Sequence, residues 1–180
     1  MIHSPDIWRK ALKRLADRIE SKKHPRRWTH LRGATLQLEV MLACFIFRLL
    51  CQRKLVPAEL DTTTVSVTSY RRDPSCPEAV PTVDFHLAHE MQNGRPYNMG
   101  ALRLIQRILH CDYFAPVLDQ TGAVVAVLFH PEPRRPLPGD LSEARSLLYL
   151  QQIDVDFLVW LLRQAATGRE PGMRSFWVSA

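Results

Sequence analysis

The chain has 180 residues, 46 % of them hydrophobic and 23 % charged, which is enough material for one domain with a substantial core. Its first twenty residues, MIHSPDIWRKALKRLADRIE, hold no unbroken apolar run ahead of their charges, so no export signal is expected and the protein reads as cytoplasmic. The net charge of +6 is uneven: residues 1–54 carry thirteen Lys and Arg against four acids, and residues 55–180 carry eleven against fourteen.

A basic half of this kind attracts a polyanion, with RNA the favoured partner, or docks on an acidic protein surface. Pro5 and Asp6 open a first helix in which Trp8, Leu12, Leu15 and Ile19 recur at helical spacing. Arg9, Lys10, Lys13 and Arg14 lie across from them. The linker SKKHPRRWTHLRG, residues 21–33, adds Lys22, Lys23, Arg26 and Arg27 beside Trp28, which interleaves cations with an aromatic surface. These eight cations are the candidate nucleic-acid-binding set; the plainer reading is a solvated helix face and connection.

A second helix is expected from about Ala34 to Lys54. It is nearly apolar all round and therefore belongs at the centre of the packing. Its apolar run, Val40 to Cys51, is too short for a membrane span and is interrupted by Arg48, so no membrane partner is expected. Glu39 and Arg48 must be paired or face a polar cavity, because a lone buried charge costs several kcal/mol.

After Pro57 the alternation of TTTVSVTSY, residues 62–70, reads as a strand inside an insert spanning about 57–97. The rest of that insert is rich in proline and turn residues. His86 and His89 have HxxH spacing without clear helical context, and the four cysteines form no CxxC pair, so neither a metal site nor a cofactor is expected. A helix from about Asn98 to His110 follows, then a hairpin over residues 113–129 around QTG, and a proline-rich loop at 130–140. The last helix opens on the Asp140 and Glu143 capping signal, continues through Leu147, Ile153, Phe157 and Leu161, and stops at Gly168. Residues 169–180 form a loose tail. The expected fold is mainly α: one helical domain over 1–168, a four-helix-bundle-like body carrying the hairpin and the strand-bearing insert.

The chemistry concentrates in LRLIQRILH, residues 102–110. At 100° per residue, Arg103, Gln106, Arg107 and His110 share one side of the helix, and no acid stands among them. An imidazole moves protons near neutral pH, and guanidinium groups stabilise charge growing on phosphorus. This is the equipment for RNA cleavage by its own 2′-hydroxyl without a metal, and the four residues are the candidate catalytic set. An ordinary wet helix face, with His110 at its dipole-favoured end, is the alternative.

Arg103 and His110, with six residues between them, resemble the R-x(4–6)-H signature of the HEPN superfamily. That resemblance implies a helical-bundle ribonuclease of a toxin–antitoxin or antiviral defence system, with its active site where two motif helices meet in a homodimer. A non-enzymatic nucleic-acid-binding or assembly module, or a structural subunit of a larger complex, is the other reading. Glycine-rich phosphate loops, nucleophile elbows and paired catalytic carboxylates are absent, which argues against nucleotide hydrolases, α/β hydrolases and glycosidases.

Overall fold

Five strands are built from the second half of the chain and the stretch after Pro57: β1 (Thr64–Arg71), β2 (Arg95–Gly100), β3 (Cys111–Leu118), β4 (Val124–Pro131) and β5 (Tyr149–Asp154). The computed structural model describes residues 5–25, 27–76, 86–131 and 149–167. Within them the strands form one antiparallel sheet in the order β2-β1-β5-β4-β3. The helices are α1 (Pro5–Ser21), α2 (His30–Gln52), the short α3 (Ala58–Thr62), α4 (Ala101–Leu109) and α5 (Val155–Thr167).

The mainly α, bundle-like body expected from the sequence is therefore corrected to an α+β fold with a substantial sheet. The helical bundle implied by the HEPN resemblance falls with it. Two segments carry the difference. Residues 149–154 were expected to continue the last helix, but they form β5, a central strand covered on both sides. Leu150 packs into a cluster with Tyr70, Tyr113 and Leu128, while Ile153 joins the main core on the opposite face. Burial on both faces removes the alternation that marks a strand, so the sequence pattern there is equally compatible with a helix. Residues 95–100 have turn-like composition, but they form β2 at the sheet edge. Pro96 is tolerated there because an edge strand leaves one row of backbone groups unpaired.

The main core lies between the helices and one face of the sheet, where Val65 and Val67 of β1, Met99 of β2, Val127 and Phe129 of β4 and Ile153 meet Leu12, Phe47, Leu104 and Leu158. α4 connects the two edge strands, so it must cross this face from the β2 side to the β3 side, touching β1, β2 and β4 on the way. Its buried residues are Ala101, Leu104, Ile105 and Ile108. α2 starts earlier than expected, because the Thr29 side chain caps it by accepting from the Arg32 N–H, and Gly33 is absorbed into the first turns.

The expected hairpin is β3–β4. In its turn the Asp119 carboxylate accepts from the Thr121 N–H at 2.8 Å, the Thr121 hydroxyl at 2.7 Å and the Ala123 N–H at 2.9 Å, and Gly122 takes a positive φ of 81°. The Asp140–Glu143 capping signal, most of the 130–140 loop and the tail from 169 lie outside the described residues.

Candidate functional site

The polar side of α4 is placed as its periodicity predicts. With Leu104, Ile105 and Ile108 turned into the core, Arg103 and His110 are exposed, and Gln106 and Arg107 are half-buried. The four are not equivalent. His110 ends the helix, its backbone N–H donating to the Gln106 carbonyl at 3.2 Å. Arg107 instead leans onto the sheet, where its Nη1 donates to the Tyr97 hydroxyl at 3.0 Å.

Tyr97 is the residue that organises this surface. It stands on β2 between Arg95 and Met99, and Met99 belongs to the main core, so the alternation of the strand puts Arg95 and Tyr97 on the same face as α4. Gln151, 2 % exposed on β5, also hydrogen-bonds the Tyr97 side chain, while its Oε1 finds no partner among the described residues. Burial holds the Tyr97 hydroxyl above its ordinary range, and the charges of Arg107 and Arg103 and the Gln151 hydrogen bond work against that rise. Arg107 acts on that oxygen through its hydrogen bond, whereas Arg103 contributes only its charge from an exposed position. Arg107 thus touches the tyrosine, Arg95 shares its strand face and Arg103 its side of the helix, with no acid on either element: α4 is ALRLIQRIL and β2 is RPYNMG.

The basic amino-terminal set is divided. Lys10, Lys13 and Arg14 are exposed on α1, and Arg27 is exposed in the linker. Arg9 donates through Nη2 to the Leu55 carbonyl at 2.7 Å. Lys22 pairs with Glu39, which also meets Arg18 at 2.6 Å and is 3 % exposed. Lys23 pairs with Asp156 at the start of α5. Arg26 lies outside the described residues. Part of the charge excess therefore holds α1 and the linker onto the body, and the exposed remainder forms a shorter stripe.

On the opposite face of the sheet a second polar group forms. The register shift between Cys111 and Tyr113 leaves Asp112 as an extra residue in β3. The bulge turns its carboxylate to the imidazole of His130, with Oδ1 2.8 Å from Nδ1. The rings of His130 and His89 are 6.3 Å apart, and His86 Nδ1 lies 3.4 Å from the Tyr113 hydroxyl. Among the described residues no group of three or more His, Cys, Asp or Glu is disposed to hold a metal ion.

A groove of about 450 Å³ separates the start of α2 from edge strand β3, between Trp28, His30 and Gln37 on one side and Phe114 and Pro116 on the other. It contains none of the catalytic candidates.

Comparison with protein-family models, with curated proteins and with solved structures finds no match.

Sequence periodicity found Arg103, Gln106, Arg107 and His110, but it missed Tyr97, Arg95 and Gln151. The available signal was the alternation of RPYNM directly ahead of the helix. Reading that stretch as a strand puts a tyrosine and an arginine under the polar side of α4.

Proposed function

We propose that this protein binds RNA in the cytoplasm through the acid-free surface that α4 and β2 build around Tyr97. The observation that carries the reading is the hydrogen bond that holds Arg107 on the Tyr97 hydroxyl, with exposed Arg103 on the same polar side of α4 and Arg95 on the same face of the neighbouring strand. Guanidinium groups offer several donors in a fixed fork that suits phosphate oxygens, and an adjacent aromatic ring offers a surface on which a base can stack. Hydrogen bonding to Tyr97 holds Arg107 in place before any ligand arrives, which lowers the ordering cost of binding. Lys10, Lys13 and Arg14 add longer-range attraction for a polyanion.

A second reading, cleavage of the bound RNA, is favoured by one further observation: His110 presents an exposed imidazole on the same side of α4 as Arg103 and Arg107. In that reaction the imidazole accepts the proton of the 2′-hydroxyl as the oxygen attacks phosphorus. The P–O bond to the 5′-oxygen of the next nucleotide breaks, that oxygen takes the proton back from the imidazolium, and a 2′,3′-cyclic phosphate remains. The arginines offset the charge on the phosphorane.

Titration of a fluorescently labelled single-stranded RNA tests the binding reading. Affinity is expected to fall linearly with salt on a double-logarithmic plot, with a slope of about −0.7 for each phosphate engaged. Absence of binding at low salt refutes it. Cleavage is tested on the same RNA in a chelator, where a cyclic-phosphate product that His110→Ala abolishes is expected.

A further inference from the structure

α2 carries two apolar stripes. Leu36, Val40, Ala43, Phe47 and Leu50 follow one another at steps of four and three and are at most 1 % exposed in the core. The second stripe faces outward: Leu31, Leu38, Leu42 and Phe45 are 76, 67, 47 and 46 % exposed. Their steps of seven, four and three residues keep them on one narrow line along the helix. Isolated exposed leucines are ordinary, but large apolar side chains aligned along one outward helix face form a continuous patch of the kind found at interaction surfaces.

The charges around this stripe decide what suits it. Between Arg27 and Lys54 the sequence contains a single acid, Glu39, and its carboxylate is buried against Arg18 and Lys22. Arg27 and Arg32 stand exposed at the amino end of α2. Arg48 is half-buried near the carboxyl end, and Arg53 and Lys54 are exposed just beyond it. Two copies laid together along the stripe, parallel or antiparallel, bring like charges against like at both ends. A bilayer containing anionic lipid accepts both features at once, apolar side chains at the acyl boundary and cations among the phosphates.

We propose that the outer face of α2 lies in the plane of an anionic membrane surface, with Leu31, Leu38, Leu42 and Phe45 inserted and Arg27, Arg32, Arg48, Arg53 and Lys54 at the headgroups. α2 is long and apolar enough to cross a bilayer by length and composition, but half of it is buried in the protein. The inner stripe belongs to the core, so the helix rests on the surface and does not span it. This proposal is independent of RNA binding, since α2 contributes no residue to the surface around Tyr97.

Co-sedimentation of the full chain with vesicles tests it, comparing phosphatidylcholine alone with an equal mixture of phosphatidylcholine and phosphatidylglycerol. Binding to the mixed vesicles only, weakened by salt, is the expected result. The double substitution Leu38→Gln and Leu42→Gln sits on exposed positions and leaves the thermal transition unchanged; it is expected to weaken vesicle binding by about ten-fold or more. Arg53→Gln with Lys54→Gln weakens it about twenty-five-fold, at roughly five-fold for each cation near the surface. Arg103→Ala with Arg107→Ala leaves it unchanged. Failure to bind mixed vesicles at low salt overturns the proposal, and a dimer in solution that the leucine substitutions dissociate assigns the stripe to a second copy. Vesicle binding that survives the leucine substitutions also overturns it, since charge alone then accounts for the attraction.

Discussion

Arg107 on α4 donates to the hydroxyl of Tyr97 on β2 across 3.0 Å, and this hydrogen bond joins the polar side of the helix to the edge of the sheet beneath it. It fixes one guanidinium group and leaves Arg103 exposed on the same side of the helix, while the tyrosine side chain is also hydrogen-bonded by the buried amide of Gln151. The polar side of α4 is thereby a supported surface and not a row of independent side chains.

Tyr97→Phe removes that support while keeping the ring. The loss of the hydrogen bond to a charged donor, together with a buried amide left short of a partner, is expected to cost about 1–3 kcal/mol of stability. Urea denaturation measures this. RNA affinity is expected to fall as well, because Arg107 then has to be ordered by the ligand.

Glu39 offers a sharper test of the amino-terminal ion pairs. Arg18→Ala with Lys22→Ala leaves its carboxylate buried and uncompensated, which is expected to cost about 3–5 kcal/mol. Glu39→Leu removes the charge itself and leaves cations that can turn to water, so it is expected to cost less than about 1.5 kcal/mol. Denaturation midpoints of the two variants should differ in that order, and the reverse order contradicts the assignment of these cations to the fold.

The cysteines predict an alkaline loss of stability. Burial, with a smaller contribution from Cys111, holds the Cys44 thiol far above its ordinary value of 9.0. Burial and then the charge of Asp112 push Cys111 up to about 11. Both groups are acids whose folded pKa is raised, so the unfolded chain releases protons first. Stability is full below about pH 9 and declines above it, by at most about 1.4 kcal/mol per pH unit for each thiol, through the Cys111 value. Chemical denaturation across this range checks the slope, and Cys111→Ser is expected to reduce it.

Much of the molecule was legible in the sequence where one face is buried and the other wet. Leu12, Leu15 and Ile19 marked α1 and the alternation of Val65 and Val67 marked β1, while the hairpin, whose β4 is buried on both faces, was marked instead by the QTG turn between two apolar runs. The rest was illegible where both faces are covered, as at Leu150 and Ile153, and where Gly94, Pro96 and Asn98 give an edge strand the composition of a turn. The helical half of the candidate site could be read because amphipathicity is local. Its sheet half was missed because Tyr97, only ten residues ahead of Arg107, stands in a stretch with the composition of a turn, and because Gln151 is brought near it by strand pairing that no sequence window contains. The same limit applies to the basic residues: nothing local distinguishes Lys22 and Lys23, which are held in ion pairs, from Lys10 and Lys13, which stand in water.

The most direct measurement is the affinity of a labelled single-stranded RNA for the double variant Arg103→Ala, Arg107→Ala, compared with the unsubstituted protein and with Lys10→Ala, Lys13→Ala, Arg14→Ala. If RNA is held around Tyr97, the α4 variant loses about one to two orders of magnitude in affinity and its salt slope becomes shallower by about 1.4, two single-strand phosphate contacts. The α1 variant is then expected to lose less. An α4 variant that binds as tightly as the unsubstituted protein, with the same salt slope, contradicts the account.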